Sequence, residues 1–233
     1  MSRTARNLFT LLSLLTVSSA SVAGSQRRDD GAQNLAITVL VYNYAEVPGQ
    51  TLDRAETEVA RILYDVGIET AWRNCNPALT DIHKDVNCIQ EVGPTNVIFR
   101  ILPDIAVTPG VSDENTMGLA FGNLASVSYR WVREEAAAVG VMSSEILAFA
   151  AAHEIGHLLL GSESHSQSGI MRARWTHEDF QRAPMGTFTF TTEQAESIRA
   201  EVARRAREQA AGEVAAKAAP KWHIVLAPSR RPR

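Results

Sequence analysis

The sequence has little of what would mark several common classes of protein. It contains two cysteines among 233 residues and no Cys-x-x-Cys pair, which excludes a disulfide-rich mini-protein and a zinc ribbon. Its 23 basic and 26 acidic side chains nearly cancel, whereas a nucleic-acid-binding domain normally has a basic excess. It also lacks a Gly-rich phosphate loop and a Gly-x-Ser-x-Gly nucleophile motif. What remains is an ordinary globular composition, with enough residues for one domain and a sizeable core.

No apolar stretch of the sequence reaches the ~20 residues that span a bilayer. Residues 8–17 are largely apolar, follow Arg3 and Arg6, and precede a small-residue end at Ala23. This arrangement predicts a secretory signal peptide over residues 1–23. We therefore expect a secreted or periplasmic protein without a membrane span after signal cleavage.

Export would place the two cysteines in an oxidising compartment. Cys75 and Cys88 close a short loop rich in Asn, Asp and Pro, and we predict a disulfide between them. Two unrelated free thiols are the alternative. A role as zinc ligands is less favoured, because better ligands occur later in the chain.

Hydrophobic periodicity predicts one mixed α/β domain over residues 33–205. The predicted elements are a strand at 36–44, a helix at 52–66, strands at 68–72 and 97–102, an edge strand at 117–122, a strand at 126–132, a helix from 143 or 144 to 160, and a last helix from about 191. The strand–helix–strand start implies at least partly parallel pairing. Thr191 and Gln194 have the spacing of a capping box. Residues 206–233 are predicted to be a flexible basic tail.

The most informative segment is AHEIGHLLLGSESHSQSGIMRARW, at residues 152–175. His153 and His157 are one helical turn apart, so both imidazoles project from the same face and can bind one zinc ion. Glu154 points beside them, where it can act as a general base towards water. The apolar flanks predict that this helix is buried. A buried His-Glu-His face favours a metal site, because unpaired buried polar groups cost several kcal/mol.

The continuation of this segment resembles the metzincin superfamily of zinc metalloproteases, and most of all its matrixin branch. That family carries His-Glu-x-x-His-x-x-Gly-x-x-His, followed by a tight turn that contains Met. By this resemblance His165 is the third zinc ligand and Met171 is the Met-turn residue. The segment HEIGHLLLGSESHSQSGIM has two single-residue insertions relative to the family motif. Glu163 consequently stands ten residues after His153, and it is the alternative third ligand.

The resemblance also implies a fold and a place for the substrate. The expected fold is a metzincin-like α/β (α+β) domain with a mixed, largely parallel sheet, an antiparallel edge strand, an active-site helix and a small C-terminal helical subdomain. In the family the edge strand binds substrate in extended form. The corresponding residues of this chain are Gly118, Leu119, Ala120 and Phe121. Nothing in the sequence resembles a propeptide with a blocking cysteine.

Three functional hypotheses follow from these residues. The first is a secreted zinc-dependent endopeptidase that uses Zn²⁺ as cofactor, Glu154 as general base and a peptide or protein as substrate. This hypothesis includes no nucleic-acid partner. It leaves the oligomeric state undetermined, and a monomer is expected. The second is an exported, non-catalytic zinc-binding protein with a degenerate protease-like site. The third is a hydrolase that acts on an amide other than a peptide. A fourth protein ligand would favour the second hypothesis, because catalytic zinc keeps one position open.

Overall fold

A five-stranded sheet is the central element of the fold, which is described here from a computed structural model. The structure describes residues 34–75, 88, 92–105, 117–183, 186 and 188–218. The strands are β1 (Ala36–Asn43), β2 (Glu69–Asn74), β3 (Asn96–Leu102), β4 (Gly118–Phe121) and β5 (Leu124–Ser128). The predicted signal peptide and residues 219–233 of the predicted tail lie outside the described residues.

Four of these strands are parallel, and β4 is the antiparallel edge of the sheet. The order across the sheet is β2-β1-β3-β5-β4. β1 pairs in parallel with β2 and β3, and β3 pairs in parallel with β5. β4 runs antiparallel to β5, with Gly118 opposite Val127 and Phe121 opposite Leu124. The predicted fold class, a mixed and largely parallel sheet with an antiparallel edge strand, is therefore confirmed.

The described residues also form helices that pack on the sheet and on one another. They are α1 (Gly49–Asp65), α2 (Tyr129–Val139), α3 (Ser143–Leu160), α4 (His177–Arg182) and α5 (Thr192–Ala218). The helix α1 buries one apolar face, which includes Leu52, Val59 and Ile62. In contrast, α3 is buried on almost every side, because it contacts α1, α2, α5, β4 and β5. Polar side chains on α3 therefore need partners inside the protein.

The structure differs from the sequence-based expectation after β5. The strand predicted to run through Val132 ends at Ser128, so that prediction is wrong beyond this residue. The Ser128 hydroxyl accepts a hydrogen bond from the Trp131 backbone N–H (3.2 Å) and caps α2. Val132 and Ala136, one turn apart, are then buried together. The aromatic and β-branched residues that indicated a strand instead form the first turn of an amphipathic helix.

The C-terminal part of the chain contains more helix than predicted. A capping box between Thr176 and Asp179 begins α4. The sequence analysis did not predict this helix. Reciprocal hydrogen bonds between Thr191 and Gln194 (3.0 and 3.3 Å) cap the start of α5, as their spacing predicted. However, α5 continues to Ala218, so residues 206–218 are helical where a flexible tail was expected. Ala, Glu, Gln and Arg are good helix formers, and together they outweigh the lack of a buried face in this stretch.

The helix α5 holds the C-terminal end of α3. Arg205 is only 8% exposed and donates a hydrogen bond to the Leu158 carbonyl oxygen. Its guanidinium group also pairs with Glu201 (2.7 Å). The last carbonyl groups of a helix have no partner within the helix, so this donor satisfies one of them. The end of α3 that carries His157 is thereby fixed.

Cys75 and Cys88 form a disulfide, with their Cα atoms 5.8 Å apart, as the sequence predicted. Within the described ranges, no helix combines the length and the apolarity that crossing a membrane requires.

Candidate metal centre

The helix α3 brings two histidines and a glutamate to one cleft. His153 and His157 lie one turn apart, with ring centroids separated by 4.7 Å. His153 and Glu154 are 3% and 4% exposed, because the residues around them on α3 pack into the core. His157 is half-buried and faces the cleft. The predicted helical face therefore exists and is enclosed by apolar side chains.

A backbone carbonyl fixes the ring of His153. Its Nδ1 lies 2.8 Å from the Ile170 carbonyl oxygen, which can only accept a hydrogen bond. Nδ1 therefore carries the proton, and Nε2 presents a lone pair to the cleft. Trp175 Nε1 donates to the same carbonyl oxygen (3.0 Å). Burial lowers the pKa of His153 to about 4, so this ring is neutral at pH 7, as a metal ligand must be.

The turn that contains Ile170 and Met171 packs against α3. Ile170 N–H donates to the Thr189 carbonyl oxygen (3.0 Å). Gly169 has a φ of 75°, and a Cβ at this position would overlap that same oxygen, so the turn requires glycine. Met171 is fully buried, and its Sδ lies against Gly156, where α3 has no side chain. Met171 thus occupies a tight turn packed against the helix that carries the histidines.

His165 completes a cluster of three imidazoles. His157 Nε2 lies 3.0 Å from His153 Nε2 and 3.1 Å from His165 Nε2. One ligand atom from each ring lies within 4.8 Å of the others. Nitrogens bound at about 2.0–2.1 Å to one tetrahedral ion are about 3.3 Å apart, so this spacing fits a shared ion. The donor chemistry and the geometry both fit Zn²⁺, which the three histidines can bind.

Glu163, the alternative third ligand, does not belong to this cluster. Within the described residues, the cluster contains the three histidines and no fourth His, Cys, Asp or Glu. Glu163 is exposed in the loop that follows α3. Burial lowers the pKa of His157, and of the opposing effects the hydrogen bond to Gly161 raises it more than the charge of Glu163 does. The placement of Glu163 outside the cluster argues against its direct ligation of a metal.

The carboxyl group of Glu154, on α3, lies against the edge strand β4. A Cβ on Gly118 would come within 2.6 Å of the Glu154 carboxyl carbon, of its Oε1 and of the Ser126 carbonyl oxygen. Only the missing side chain at Gly118 lets β4 pass so close to the carboxyl group. Burial raises the pKa of Glu154 to about 8. A nearby cation would lower this pKa again, because it favours the charged form.

A cleft of about 780 Å³ opens in front of the histidines. It is lined by β4 and the residue before it, by α2, by α3 and the loop after it, and by the segment after the Met171 turn: Met117, Gly118, Leu119, Ala120, Trp131, Glu134, Glu135, Ala138, His153, Glu154, His157, Ser162, His165, Arg172, Ala173, Arg174 and Trp175. Phe121 and Leu119 of β4 are 88% and 44% exposed. Trp131 and Trp175 pack edge to face in the wall of the cleft, with ring centroids 6.1 Å apart. The volume is that of a ligand site.

The sequence did not predict the groups that contact the Nδ1 atoms of His153 and His157. The Ile170 carbonyl oxygen contacts His153, and the Ser164 hydroxyl group contacts His157 Nδ1 (3.0 Å). A metal-bound histidine generally donates its second ring N–H to an acceptor, so each predicted ligand implied such a partner. Ser164, adjacent to His165, carries a suitable hydroxyl group, but the sequence analysis did not single it out. The Ile170 carbonyl had no sequence signal, because any residue supplies one.

Comparisons with known proteins give structural likeness only. No protein-family model and no curated protein sequence matches the chain. A zinc-dependent peptidase from Methanocorpusculum labreanum matches with 14% identity and a TM-score of 0.48, over 69% of this chain and 99% of that one. Archaemetzincin from Methanopyrus kandleri matches with 15% identity and a TM-score of 0.48, over 74% of this chain and 98% of that one. The assignment of the metal site rests on the residues described above.

Proposed function

We propose that this protein is an exported, zinc-dependent endopeptidase of the metzincin type. The observation that carries the proposal is the placement of Glu154. Its buried carboxyl group lies against the edge strand β4 and lines the same cleft as the three-histidine cluster. An acid–base group, a metal site and a backbone edge that can hold a peptide thus share one cleft.

His153, His157 and His165 would hold the metal through Nε2. When bound, Zn²⁺ supplies a Lewis acid that polarises a carbonyl group and lowers the pKa of water towards about 7. Structural zinc sites are closed by four protein ligands, whereas catalytic sites have three and leave one position open. The cluster of three donors, without a fourth in the described part of the chain, supports the catalytic alternative.

Glu154 is the proposed general base. Its carboxylate takes a proton from the attacking water molecule and later delivers it to the leaving amine. The apolar surroundings of α3 exclude bulk water from this carboxyl group, so the transferred proton stays within the site. A neighbouring exposed carboxylate such as Glu163 has no such environment.

The edge strand β4 is the proposed substrate-binding element. Its inner edge pairs with β5, and its outer edge has no partner strand in the described sheet. An extended peptide can add to this edge through backbone hydrogen bonds, which are independent of side-chain identity. The exposed side chains of Leu119 and Phe121 offer apolar contacts to such a peptide.

Export is part of the proposal. The disulfide between Cys75 and Cys88 supports it, because disulfides persist in oxidising compartments. The basic and apolar N-terminal pattern of the sequence supports it as well.

The proposal is tested by comparing zinc-loaded wild-type protein with Glu154→Gln. We expect the wild type to bind one zinc ion and to cleave members of a fluorescence-quenched peptide library. Glu154→Gln should lower kcat by about 10²–10⁴-fold, since it removes general-base catalysis, while the zinc content measured by mass spectrometry stays unchanged. Glu163→Gln is the matched control, because it neutralises an exposed carboxylate and should retain both properties.

Two outcomes would contradict the proposal. Full turnover in zinc-loaded Glu154→Gln would remove Glu154 from the reaction. Wild-type protein that binds zinc but cleaves no peptide would favour a non-catalytic zinc protein or a hydrolase for another kind of amide.

A further inference from the structure

The loop between the second and third histidines folds back onto the second one. In this loop the half-buried Ser164 places its hydroxyl oxygen 3.0 Å from His157 Nδ1. The same oxygen lies 2.6 Å from the Gly161 carbonyl oxygen, which is also 3.3 Å from His157 Nδ1. Three polar atoms therefore meet on the side of the His157 ring that faces away from the cluster.

This arrangement decides which nitrogen of His157 carries the proton. The Gly161 carbonyl oxygen can only accept a hydrogen bond, so at 2.6 Å the Ser164 hydroxyl group donates to it. The Ser164 oxygen is then free to accept from His157, which requires a proton on Nδ1. The opposite tautomer would place the Nδ1 lone pair towards an acceptor on Gly161 and towards a hydroxyl group whose proton is already engaged.

The position of Ser164 is itself fixed from outside the loop. Gln194, at the start of α5, donates through Nε2 to the Ser164 carbonyl oxygen (3.4 Å). The other end of the Gln194 amide accepts from the Thr191 backbone N–H (3.0 Å) in the capping box. The backbone of Ser164 is thereby tied to a long helix, and its hydroxyl group keeps a defined place beneath His157.

We propose that Ser164 is a positioning residue that holds His157 in the Nδ1–H tautomer and so aims the Nε2 lone pair at the point shared with His153 and His165. His157 Nδ1–H donates a hydrogen bond to the Ser164 oxygen, and the Ser164 hydroxyl group donates one to the Gly161 carbonyl oxygen. This pair of hydrogen bonds does for His157 what the Ile170 carbonyl oxygen does for His153. The inference rests on the metal-binding part of the proposed function and not on peptide hydrolysis.

The test uses Ser164→Ala, Ser164→Thr and the control Ser168→Ala. Ser168 is an exposed serine of the same segment, and its hydroxyl group has no hydrogen bond to any described residue. The first measurement is the tautomer of His157 in metal-free protein, from the ring nitrogen signals in ¹⁵N NMR at a pH where the ring is neutral. The second is the zinc Kd, from competition with a chelator.

We expect Ser164→Ala to raise the zinc Kd by about 10–100-fold and to shift His157 towards the Nε2–H tautomer. Ser164→Thr keeps the hydroxyl group and should restore both properties, and Ser168→Ala should match the wild type. The thermal melting of each metal-free variant separates a local change from loss of the fold.

Unchanged tautomer and zinc Kd in Ser164→Ala would overturn the inference and would assign the role to the Gly161 carbonyl alone. Failure of Ser164→Thr to restore either property in a folded protein would also overturn it. Wild-type protein that binds no zinc would instead contradict the proposed function, and the tautomer of metal-free His157 would still test the role of Ser164.

Discussion

The metal centre is built from two regions that differ in how they are held. The helix half consists of His153 and Glu154, which lie in the core and are almost completely buried. The loop half consists of Ser164 and His165, of which His165 is exposed. His157, at the end of α3, connects them. The helix half is fixed by packing on all sides, whereas the loop half depends on a few hydrogen bonds.

This difference separates two physical demands on the site. The polar groups of the helix half are buried even in the absence of metal, so each polar atom needs an internal partner. For the same reason the imidazole ring of His153 is neutral. The loop half, in which Ser164 is half-buried and His165 exposed, has a smaller burial cost, but its side chains lose conformational freedom when they are ordered. Bound metal should therefore order the loop half more than the helix half.

The largest predicted effects come from removing one histidine from each half. His153→Ala and His165→Ala should each weaken zinc binding by more than about 100-fold, the upper end of what losing an outer-shell partner costs. Their effects on the metal-free protein should differ. His153→Ala removes a buried ring and its hydrogen bond, so the free energy of unfolding should fall by about 1–3 kcal/mol. His165→Ala changes an exposed residue and should alter it by less than about 0.5 kcal/mol.

Chelator competition and urea unfolding of the metal-free variants measure the two quantities. Glu163→Ala is the control, because this exposed residue neighbours His165 without belonging to the cluster. It should leave zinc binding nearly unchanged. Loss of binding in Glu163→Ala together with retained binding in His165→Ala would make Glu163 the third ligand. Equal destabilisation by His153→Ala and His165→Ala would contradict the division into two halves.

A smaller effect tests how tightly the helix half is packed. A Cβ at Gly156 would come within 2.5 Å of Met171 Sδ and 2.8 Å of Phe190 Cε1, so Gly156→Ala should overpack this contact. Overpacking costs about 1–3 kcal/mol, which exceeds the ~1 kcal/mol that alanine gains in a helix. We expect a net loss of unfolding free energy of about 1 kcal/mol, measured by chemical denaturation.

Gly212→Ala is the matched control for this substitution. Gly212 is an exposed glycine in α5, and a Cβ there would meet nothing within 4 Å. The same chemical change should therefore stabilise the protein by about 0.5–1 kcal/mol. If both variants were stabilised, the close packing of Met171 against α3 would be refuted.

The two halves also differ in how well sequence predicts them. The spacing of His153 and His157 predicts a shared face, because helical periodicity is a local property of the chain. The place of Glu154 beside them follows from the same geometry. In contrast, the partner of each Nδ1 atom depends on tertiary structure, because it is set by where the loop and the turn return to α3. That is why the Ile170 carbonyl and the Ser164 hydroxyl had no comparable signal.

A similar limit explains the error after β5. Residues 126–132 contain the aromatic and β-branched side chains typical of a strand, but the Ser128 cap and the burial of Val132 and Ala136 favour a helix. Propensity is a weak local preference that packing can override. The sheet was predicted more successfully because β1 is rich in β-branched residues and β3 alternates buried with half-buried positions, two patterns typical of strands.

The smallest predicted effect concerns the support of the C-terminal end of α3 by α5. Hydrogen bonds from Arg204 and then Arg205 lower the pKa of Glu201 to about 2. The unfolded chain titrates near the ordinary glutamate value of about 4.3, so the ionised form stabilises the fold above that pH. This contribution should be lost as the pH falls from about 4.3 towards 2. Because Arg204 is exposed, we expect the contribution of ionised Glu201 to the free energy of unfolding to be at most about 1 kcal/mol.

Glu201→Gln should therefore lower the free energy of unfolding at pH 7 and leave a smaller difference from the wild type near pH 2. Glu208→Gln, which affects the exposed partner of Arg204 without touching Arg205, is the matched control and should have a weaker effect. Urea unfolding across this pH range measures both. Since Arg205 also binds the Leu158 carbonyl next to His157, Glu201→Gln should raise the zinc Kd at pH 7 by a few-fold at most. The difference in unfolding free energy between the wild type and Glu201→Gln could instead stay constant from pH 7 to pH 2. That result would show that Glu201 contributes nothing through its charge.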